Sequence, residues 1–163
     1  MELFFKDINI KVDNKLKELN FSGFLGSIIL PLHGTDLVLF KSKIFFKSLS
    51  SYKILHNKLI SYVDGLNQGY FIELNLVGLG FRFIKIGNYL LIKLGYSHYI
   101  KFYIPKNVHV FGFKRRLIIF GIDKEEVSRI ANVLRSFRKP DAYKGKGIQL
   151  KDEKLKFKVG KQK

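Results

Sequence analysis

The chain has 163 residues, enough for one compact domain or two small ones, and its 47% hydrophobic residues suffice for an ordinary core. Thirty basic residues against 13 acidic ones give a formal net charge of +17, which opposes compaction by self-repulsion unless a polyanion neutralises it. The absence of cysteine excludes disulfides and thiolate zinc sites, and no apolar run approaches the length that a membrane-spanning helix needs.

The first half of the chain has the pattern of several strands. Apolar and polar residues alternate over residues 8–12, which is typical of a half-buried strand, and Asp13-Asn14 offers a turn. Residues 21–32 and 37–46 are two further strand candidates, one on each side of a break at Gly34. This stretch therefore predicts a small sheet ahead of the first helix.

The first helix is predicted to begin at Ser50 or Ser51, where a hydroxyl can accept a hydrogen bond from the free amides of the first turn. Gly69 favours a helix end there, because glycine readily adopts the backbone conformation that closes a helix. Between these points, five apolar residues at helical spacing share one face. They are Leu55, Leu59, Tyr62, Val63 and Leu66.

The second half repeats this order, with strands first and a helix after them. The strand candidates are residues 72–76, 81–86, 89–94, 100–104, 108–113 and 116–120. Gly87-Asn88 is a two-residue hairpin signal between the second and third candidates, and the last two form a further hairpin. Pro105 ends the fourth, because proline has no N–H to donate to a neighbouring strand.

The second helix has the clearest start in the sequence. Asp123 can cap it and Glu126 follows three residues later, which is the pattern of a capping box. Pro140 prevents its continuation. The apolar stripe that we expect to be buried comprises Val127, Ile130, Ala131, Leu134 and Phe137.

Strands followed by a helix thus occur twice, which predicts an α+β fold class: two related small domains, each an antiparallel-rich sheet packed on one helix. Residues 1–69 are the predicted N-terminal domain and residues 70–138 the second domain. Residues 139–163 are predicted to be a basic C-terminal arm, because residues 135–163 hold 11 basic and 3 acidic residues with little apolar periodicity. If so, truncation after Pro140 leaves the body folded.

Patterns of catalysis and of metal or nucleotide binding are weak. Residues 77–83 begin like a dinucleotide fingerprint, but Phe83 stands at the third glycine position and a strand follows where a helix is needed. Gly145-Lys146-Gly147 lacks the upstream glycine and the Ser/Thr of a P-loop. The four histidines are scattered, and Glu125-Glu126 suits the first turn of a helix. We therefore expect no enzyme activity, catalytic residue, cofactor, metal site or small-molecule substrate.

Residues 139–148 have a different composition. Lysines alternate there with glycines, which let backbone amides approach a partner closely, and Tyr143 supplies a plane for packing or stacking. Nucleic acid is the leading partner class, and a solvated basic tail is the plain alternative. A peripheral membrane protein is the rival class, but it would need a basic amphipathic helix, and the first predicted helix has few lysines.

The segment Tyr143–Ile148, YKGKGI, resembles the C-terminal signature of the universal large-subunit ribosomal protein six (L-six) family. Four upstream segments resemble that family's second domain in the same order: Leu76–Arg82, Leu94–His98, Phe102–Pro105 and Gly121–Lys124. The resemblance covers residues 58–163 well and residues 1–57 in outline. It implies two related α+β domains in a structural constituent of the large ribosomal subunit, with rRNA bound near the sarcin–ricin loop and the translation-factor region.

The residues expected to contact rRNA come from two sources. From the charge pattern, the lysines that would neutralise phosphates are Lys139, Lys144, Lys146, Lys151 and Lys154. Tyr143 would pack or stack, and Gly145 and Gly147 would allow close backbone approach. The resemblance adds Arg82, Gly95, Tyr96, Ser97 and His98. The expected partners are large-subunit rRNA and neighbouring ribosomal proteins, without membrane insertion.

Two family positions differ in this chain. Asp141-Ala142 stands where the family usually has Glu-Pro, and Gln149-Leu150 stands in place of its usual Arg-Tyr. The N-terminal half is also shortened relative to the family pattern, so a reduced RNA role is expected for it.

Amino-acid usage indicates where the protein works. Lysine outnumbers arginine 24 to 6 and alanine occurs twice, a skew typical of an AT-rich gene. The start of the chain carries Glu2 and Asp7 and lacks the Arg/Ser-rich, acid-poor character of an organellar presequence. We therefore expect a protein made inside an organelle and used on the mitochondrial ribosome in the matrix. A plastid or the cytoplasm of an AT-rich bacterium is the alternative.

Overall fold

The computed structural model describes residues 9–13, 18–31, 37–40, 43–46 and 49–160. These residues fall into two compact units, one within Met1–Gly69 and Ile122–Lys124, the other within Tyr70–Gly121 and Glu125–Lys163. The acidic start of the chain, Asn14 of the predicted turn and the predicted break at Gly34 lie outside the described residues.

The first unit consists of short antiparallel strands and a long helix. In chain order the described elements are β1 (Asn9–Asp13), β2 (Glu18–Gly23), β3 (Gly26–Pro31), β4 (Leu37–Phe40), β5 (Lys43–Phe46) and α1 (Leu49–Asn67). Strands β1, β2 and β3 form one antiparallel sheet in that order, and β4 pairs with β5. Each of the two strand candidates around Gly34 is therefore a pair of strands, because the chain reverses inside it.

Helix α1 packs on β2 through the face predicted from its spacing. Leu59 and Leu66 are fully buried, and Tyr62 is nearly so. A Cβ added to Gly23 would lie 2.8 Å from the Leu66 Cβ, so glycine is what allows this close approach of strand and helix. The Leu25 amide also donates to the Leu66 carbonyl, at 3.1 Å.

The second unit contains two antiparallel sheets and the second helix. Its described elements are β6 (Tyr70–Val77), β7 (Arg82–Ile86), β8 (Tyr89–Lys93), β9 (Ile100–Tyr103), β10 (Val108–Phe113), β11 (Arg116–Gly121), α2 (Lys124–Phe137) and β12 (Gly147–Leu150). One sheet has the order β10-β11-β6-β12 and the other the order β7-β8-β9. The fold class is α+β, as the sequence predicts.

Both predicted hairpins of this unit are confirmed. Ile86 pairs with Tyr89 across a two-residue turn in which Gly87 has a φ of 56°, a left-handed conformation that costs glycine little. Phe113 pairs with Arg116 across the turn Lys114-Arg115. Each of these turns closes a two-stranded β-ribbon.

The core of the second unit lies under α2 and draws on both sheets. The predicted stripe of α2 is confirmed, since Val127, Ile130, Ala131 and Leu134 are buried. Phe137 is only partly buried against this core and meets Phe102 edge-on, with ring centroids 6.2 Å apart. The main strand contributors are Leu74, Leu90, Ile92, Leu117 and Ile119, each fully buried.

The C-terminal segment differs from the predicted arm. Gly147–Leu150 is an edge strand antiparallel to β6, with Ile148 opposite Leu76, and Ile148 is fully buried in the core. Removing this strand would open the core and leave one edge of β6 unpaired. The expectation that truncation after Pro140 leaves the body folded requires every strand to lie upstream of that point, and this premise is wrong because β12 begins seven residues beyond it.

Candidate nucleic-acid interface

Arg138 connects two of the segments expected to bind RNA. It follows α2 directly, its guanidinium donates a hydrogen bond to the Leu94 carbonyl, and it lies over the rings of Phe81 and Tyr96, with 5.1 and 5.3 Å from its Cζ to their centroids. The Tyr96 hydroxyl in turn donates to the Phe137 carbonyl, at 3.1 Å. The loop Leu94–His98 and the start of the C-terminal segment are thus held side by side.

The Leu94–His98 loop presents aromatic side chains to solvent. Gly95 has a φ of 80°, and a Cβ there would lie 2.9 Å from the Phe81 ring and 3.2 Å from Arg138, so glycine is required for this packing. Tyr96, Ser97 and His98 are exposed. The Tyr96 and His98 rings are stacked, 6.4 Å between centroids and 20° between planes. The loop therefore offers a braced aromatic surface next to Arg138.

We call residues Lys139–Lys146 the basic loop. Hydrogen bonds across its base hold it closed: Asp141 N to Lys146 O at 3.0 Å, Gly145 N to Asp141 O at 2.9 Å, and Ile148 N to Arg138 O at 2.9 Å. The Asp141 carboxylate also accepts from Lys144 N, at 3.3 Å. The conformation is therefore fixed by the chain itself.

The charged side chains of the basic loop point outward. Lys139, Lys144 and Lys146 are exposed, and Tyr143 is 58% exposed beside them. A closed loop that carries three cations and an aromatic ring suits binding to a phosphate backbone, because the protein loses little conformational entropy when it binds.

The two glycines of this segment are buried. Gly147 has a φ of 150°, and a Cβ there would lie 2.6 Å from the Lys139 carbonyl oxygen and 2.8 Å from the Pro140 Cα. Gly145 has a φ of 66°, and its Cβ would lie 3.1 Å from the Phe157 ring. Contacts within the chain therefore explain why glycine occupies both positions: Gly147 lets the basic loop pass close to its own backbone, and Gly145 lets it pack on the tail.

The residues after β12 are tied back to the body. Lys151 Nζ lies 2.9 Å from a carboxylate oxygen of Glu73, which also lies 3.9 Å from Arg116. Arg135 and Glu153 form an ion pair through two guanidinium nitrogens. Lys151 is therefore already partly neutralised, whereas Lys154 is exposed in the same stretch.

Arg82 belongs to a second cationic surface of the same unit. It lies opposite Lys93 in the β7–β8 pair, and its guanidinium donates to the Tyr99 hydroxyl at 3.4 Å. The hydrogen bond from Arg82 and the nearby positive charge of Lys93 lower the pKa of Tyr99 below its ordinary value. A cationic environment of this kind stabilises negative charge.

A groove of about 390 Å³ opens beside these residues. Its lining consists of Gly80, Phe81, Arg82, Lys93, Lys114 and Arg115. The hairpin tip that supplies the last two is fixed by backbone hydrogen bonds, Phe83 N to Lys114 O at 3.0 Å and Leu76 N to Arg115 O at 2.8 Å. Among the residues that the structure describes, four cations and no carboxylate line this groove, which suits an anionic ligand.

Sequence reasoning missed Lys93, Lys114, Arg115 and Arg138. The sequence does carry a signal for Lys93, Lys114 and Arg115: the stretch between Glu73 and Asp123 contains eight Lys or Arg residues and no Asp or Glu, which indicates a cationic surface. No local signal marks Arg138, whose partner Leu94 is 44 residues away in the sequence.

Within the residues that the structure describes, no helix is both long and apolar enough to cross a membrane. The same residues bring together no group of three or more His, Cys, Asp or Glu side chains that could hold a metal ion.

Comparison with known proteins identifies the family. Residues 77–151 match the family described as Ribosomal protein L6. The "Large ribosomal subunit protein uL6m" of Dictyostelium discoideum is 36% identical over 156 residues, which span 95% of this chain and 92% of that protein. The chain belongs to the ribosomal protein L6 family. Members of the L6 family are structural proteins of the large ribosomal subunit, so the chain is not an enzyme, and the resemblance found in its motifs is confirmed.

Bacterial relatives align over a shorter part of the chain. The "Large ribosomal subunit protein uL6" of Persephonella marina is 42% identical and that of Nautilia profundicola 44% identical, each over 99 residues or 61% of this chain. The aligned regions span 55% and 56% of those two L6 proteins, respectively.

Proposed function

We propose that this L6 chain binds large-subunit rRNA near the sarcin–ricin loop and the translation-factor region. The observation that carries the proposal is the side-by-side placement of the Leu94–His98 loop and the basic loop around Arg138. Two segments chosen separately from the sequence thus lie close enough for one RNA segment to touch both. Neighbouring ribosomal proteins are the second class of partner.

Each group in the proposed interface has a distinct role. Lys139, Lys144 and Lys146 neutralise phosphates, with Lys154 further along the tail and Lys151 shared with Glu73. Tyr143 and Tyr96 offer ring planes for stacking or packing on the nucleotide. Arg138 positions the interface and, because it already contacts two rings and a carbonyl, does not serve as a free phosphate ligand.

The domain arrangement that we propose follows the sequence analysis with one addition. Residues 1–69 form the N-terminal domain, and residues 70–138 form the second domain, to which the strand Gly147–Leu150 adds an edge. The remainder of 139–163 is the basic C-terminal arm. The second domain and the arm together carry the RNA contacts.

The site of action that we propose is the mitochondrial ribosome. Two observations support it: the relative aligned over nearly the whole chain carries the mitochondrial designation uL6m, and amino-acid usage is that of an AT-rich gene. A plastid ribosome or that of an AT-rich bacterium is the alternative. Cell fractionation followed by detection of the chain in mitochondrial large subunits tests this, and sedimentation with cytosolic ribosomes would contradict it.

The RNA-binding proposal is tested by removing charge from the basic loop alone. In the variant Lys139→Gln/Lys144→Gln/Lys146→Gln, the loss of three phosphate contacts should reduce the slope of log affinity against log salt by about 2 to 3. The matched control replaces the same three lysines by arginine, which keeps the charges and should keep the slope. Filter binding to large-subunit rRNA measures both. An unchanged slope in the glutamine variant would place the interface elsewhere.

A further inference from the structure

The solvent-facing side of the three-stranded sheet β7-β8-β9 lies outside the proposed interface around Arg138, although it includes Arg82, one of the residues expected to contact rRNA. Side chains alternate between the two faces of a strand, and the register places one set of residues together on the side opposite the core. We call this set the outer face: Arg82, Ile84, Ile86, Tyr89, Leu91, Lys93, Lys101 and Tyr103. The intervening residues Phe83, Leu90 and Ile92 are buried in the core.

The outer face carries positive charge without a carboxylate. Arg82 and Lys93 lie opposite each other at one end, and Lys101 lies opposite Leu91 in the middle of β8. The strands themselves lie wholly within the acid-free stretch between Glu73 and Asp123. An acidic ligand therefore meets attraction along the whole outer face, and no carboxylate of these strands is available to neutralise its cations.

Exposed aromatic rings lie beside these cations and are held in place. Tyr89 and Tyr103 are cross-strand partners, 41% and 49% exposed, with ring centroids 5.5 Å apart and planes at 66°. Lys101 Nζ lies 4.1 Å from the Tyr89 centroid. Rings that are already braced lose little freedom when a planar group stacks on them, and Lys101 is placed to meet a charge attached to that group.

We propose that the outer face is a second RNA-binding surface, which stacks an unpaired rRNA base on the Tyr89–Tyr103 pair and binds the adjoining phosphates with Lys101, Lys93 and Arg82. Aromatic planes next to cations on an open antiparallel sheet match both parts of a nucleotide, because every base has a stacking face and every linkage a negative charge. An acidic protein would use the cations but would leave the two tyrosine planes without a matching group. The inference deepens the proposed function and rests on it for the presence of rRNA.

The first experiment compares Tyr89→Ala/Tyr103→Ala with the ring-preserving control Tyr89→Phe/Tyr103→Phe, both in the full chain. Loss of a stacked base is expected to lower affinity for large-subunit rRNA by about 5-fold to 150-fold, with no change in salt slope because the lost group is uncharged. The phenylalanine control should bind like the unmodified chain. Equal binding by all three proteins overturns the inference.

A charge variant keeps the test valid if the alanine pair weakens folding. Lys101→Gln changes one exposed side chain and should reduce the salt slope by about 1 while leaving the melting temperature unchanged. A photo-crosslinking residue in place of Tyr103, within assembled large subunits, should give adducts to rRNA. Adducts to protein alone would mean that the outer face binds a neighbouring ribosomal protein, and would overturn the inference.

The binding results distinguish failure of the outer-face inference from failure of the proposed function. If the glutamine variant of the basic loop loses salt slope and the outer-face variants do not change binding, the proposed function stands and the outer face is not an RNA surface. If neither set of variants changes binding, the proposed function fails and the outer-face inference fails with it.

Discussion

Replacement of Ile148 by alanine tests whether the C-terminal segment is part of the fold. Ile148 is fully buried, lies opposite Leu76 in the sheet and belongs to the same core as α2. Deleting a buried isoleucine side chain beyond its Cβ typically costs about 2–5 kcal/mol, from lost burial and from the cavity left behind. That is a large part of the 5–15 kcal/mol that stabilises an ordinary domain.

Urea denaturation followed by circular dichroism measures this cost. The midpoint should fall while the dependence on urea keeps its slope, because the surface exposed on unfolding hardly changes. Lys146→Ala is the matched control: it lies two residues away, is exposed, and should change stability by less than about 0.5 kcal/mol. A similarly small change for Ile148→Ala would refute the burial of this strand and restore the picture of a separate arm.

Three further results are expected. Gly147→Ala should lower the melting temperature by several degrees because its Cβ would meet the Lys139 carbonyl at 2.6 Å, whereas Gly160→Ala, with open space around it, should change nothing. Arg138→Lys should weaken rRNA binding with little change in salt slope, because lysine keeps the charge but loses the guanidinium that spans Phe81, Tyr96 and Leu94. Arg138→Ala should bind rRNA more weakly than Arg138→Lys and should also melt at a lower temperature. For the unmodified chain, six to ten phosphate contacts imply that affinity falls by about 10³ to 10⁵ between 50 and 200 mM salt, and a flat filter-binding series would exclude this mechanism.

Sequence patterns predicted those elements whose conformation depends on residues close together in the chain. The capping-box pattern and apolar stripe of α2 gave its position and its buried face, since both depend on residues three or four apart. The Gly87-Asn88 turn likewise gave the register of β7 and β8. By contrast, β12 was missed, because it has only four residues, begins with a glycine and lies among lysines that dominate the composition of the tail.

The first half shows a second limit. From the sequence, residues 21–32 are one strand candidate, and the reversal at Phe24-Leu25 became visible only through the pairing of Gly23 with Gly26. The two central residues of this turn are large and apolar, so only the flanking glycines Gly23 and Gly26 supply the usual turn chemistry. Tertiary packing against Leu66 decides the conformation there.

The sequence predicted the charged residues of the candidate site but not the contacts that hold the site together. The exposed lysines of the basic loop follow from composition, whereas the role of Arg138 depends on a contact with Leu94, 44 residues away. Gly145 and Gly147 show the reverse case: their spacing suggested close approach to a partner, and the structure gives them close approach to the chain's own backbone and tail. The spacing of glycines in a sequence indicates that something packs closely against the backbone there, but it does not indicate whether that is a partner or another part of the same chain.

A site-specific crosslink from the basic loop tests the central proposal most directly. A photo-crosslinking residue is placed at Lys144, the tagged chain is expressed in the cell, and ribosomes are isolated and irradiated. The modified nucleotides are then mapped by reverse transcription. We expect adducts to large-subunit rRNA in the sarcin–ricin region. Adducts confined to small-subunit rRNA or to proteins, or a tagged chain absent from large subunits, would contradict the proposal.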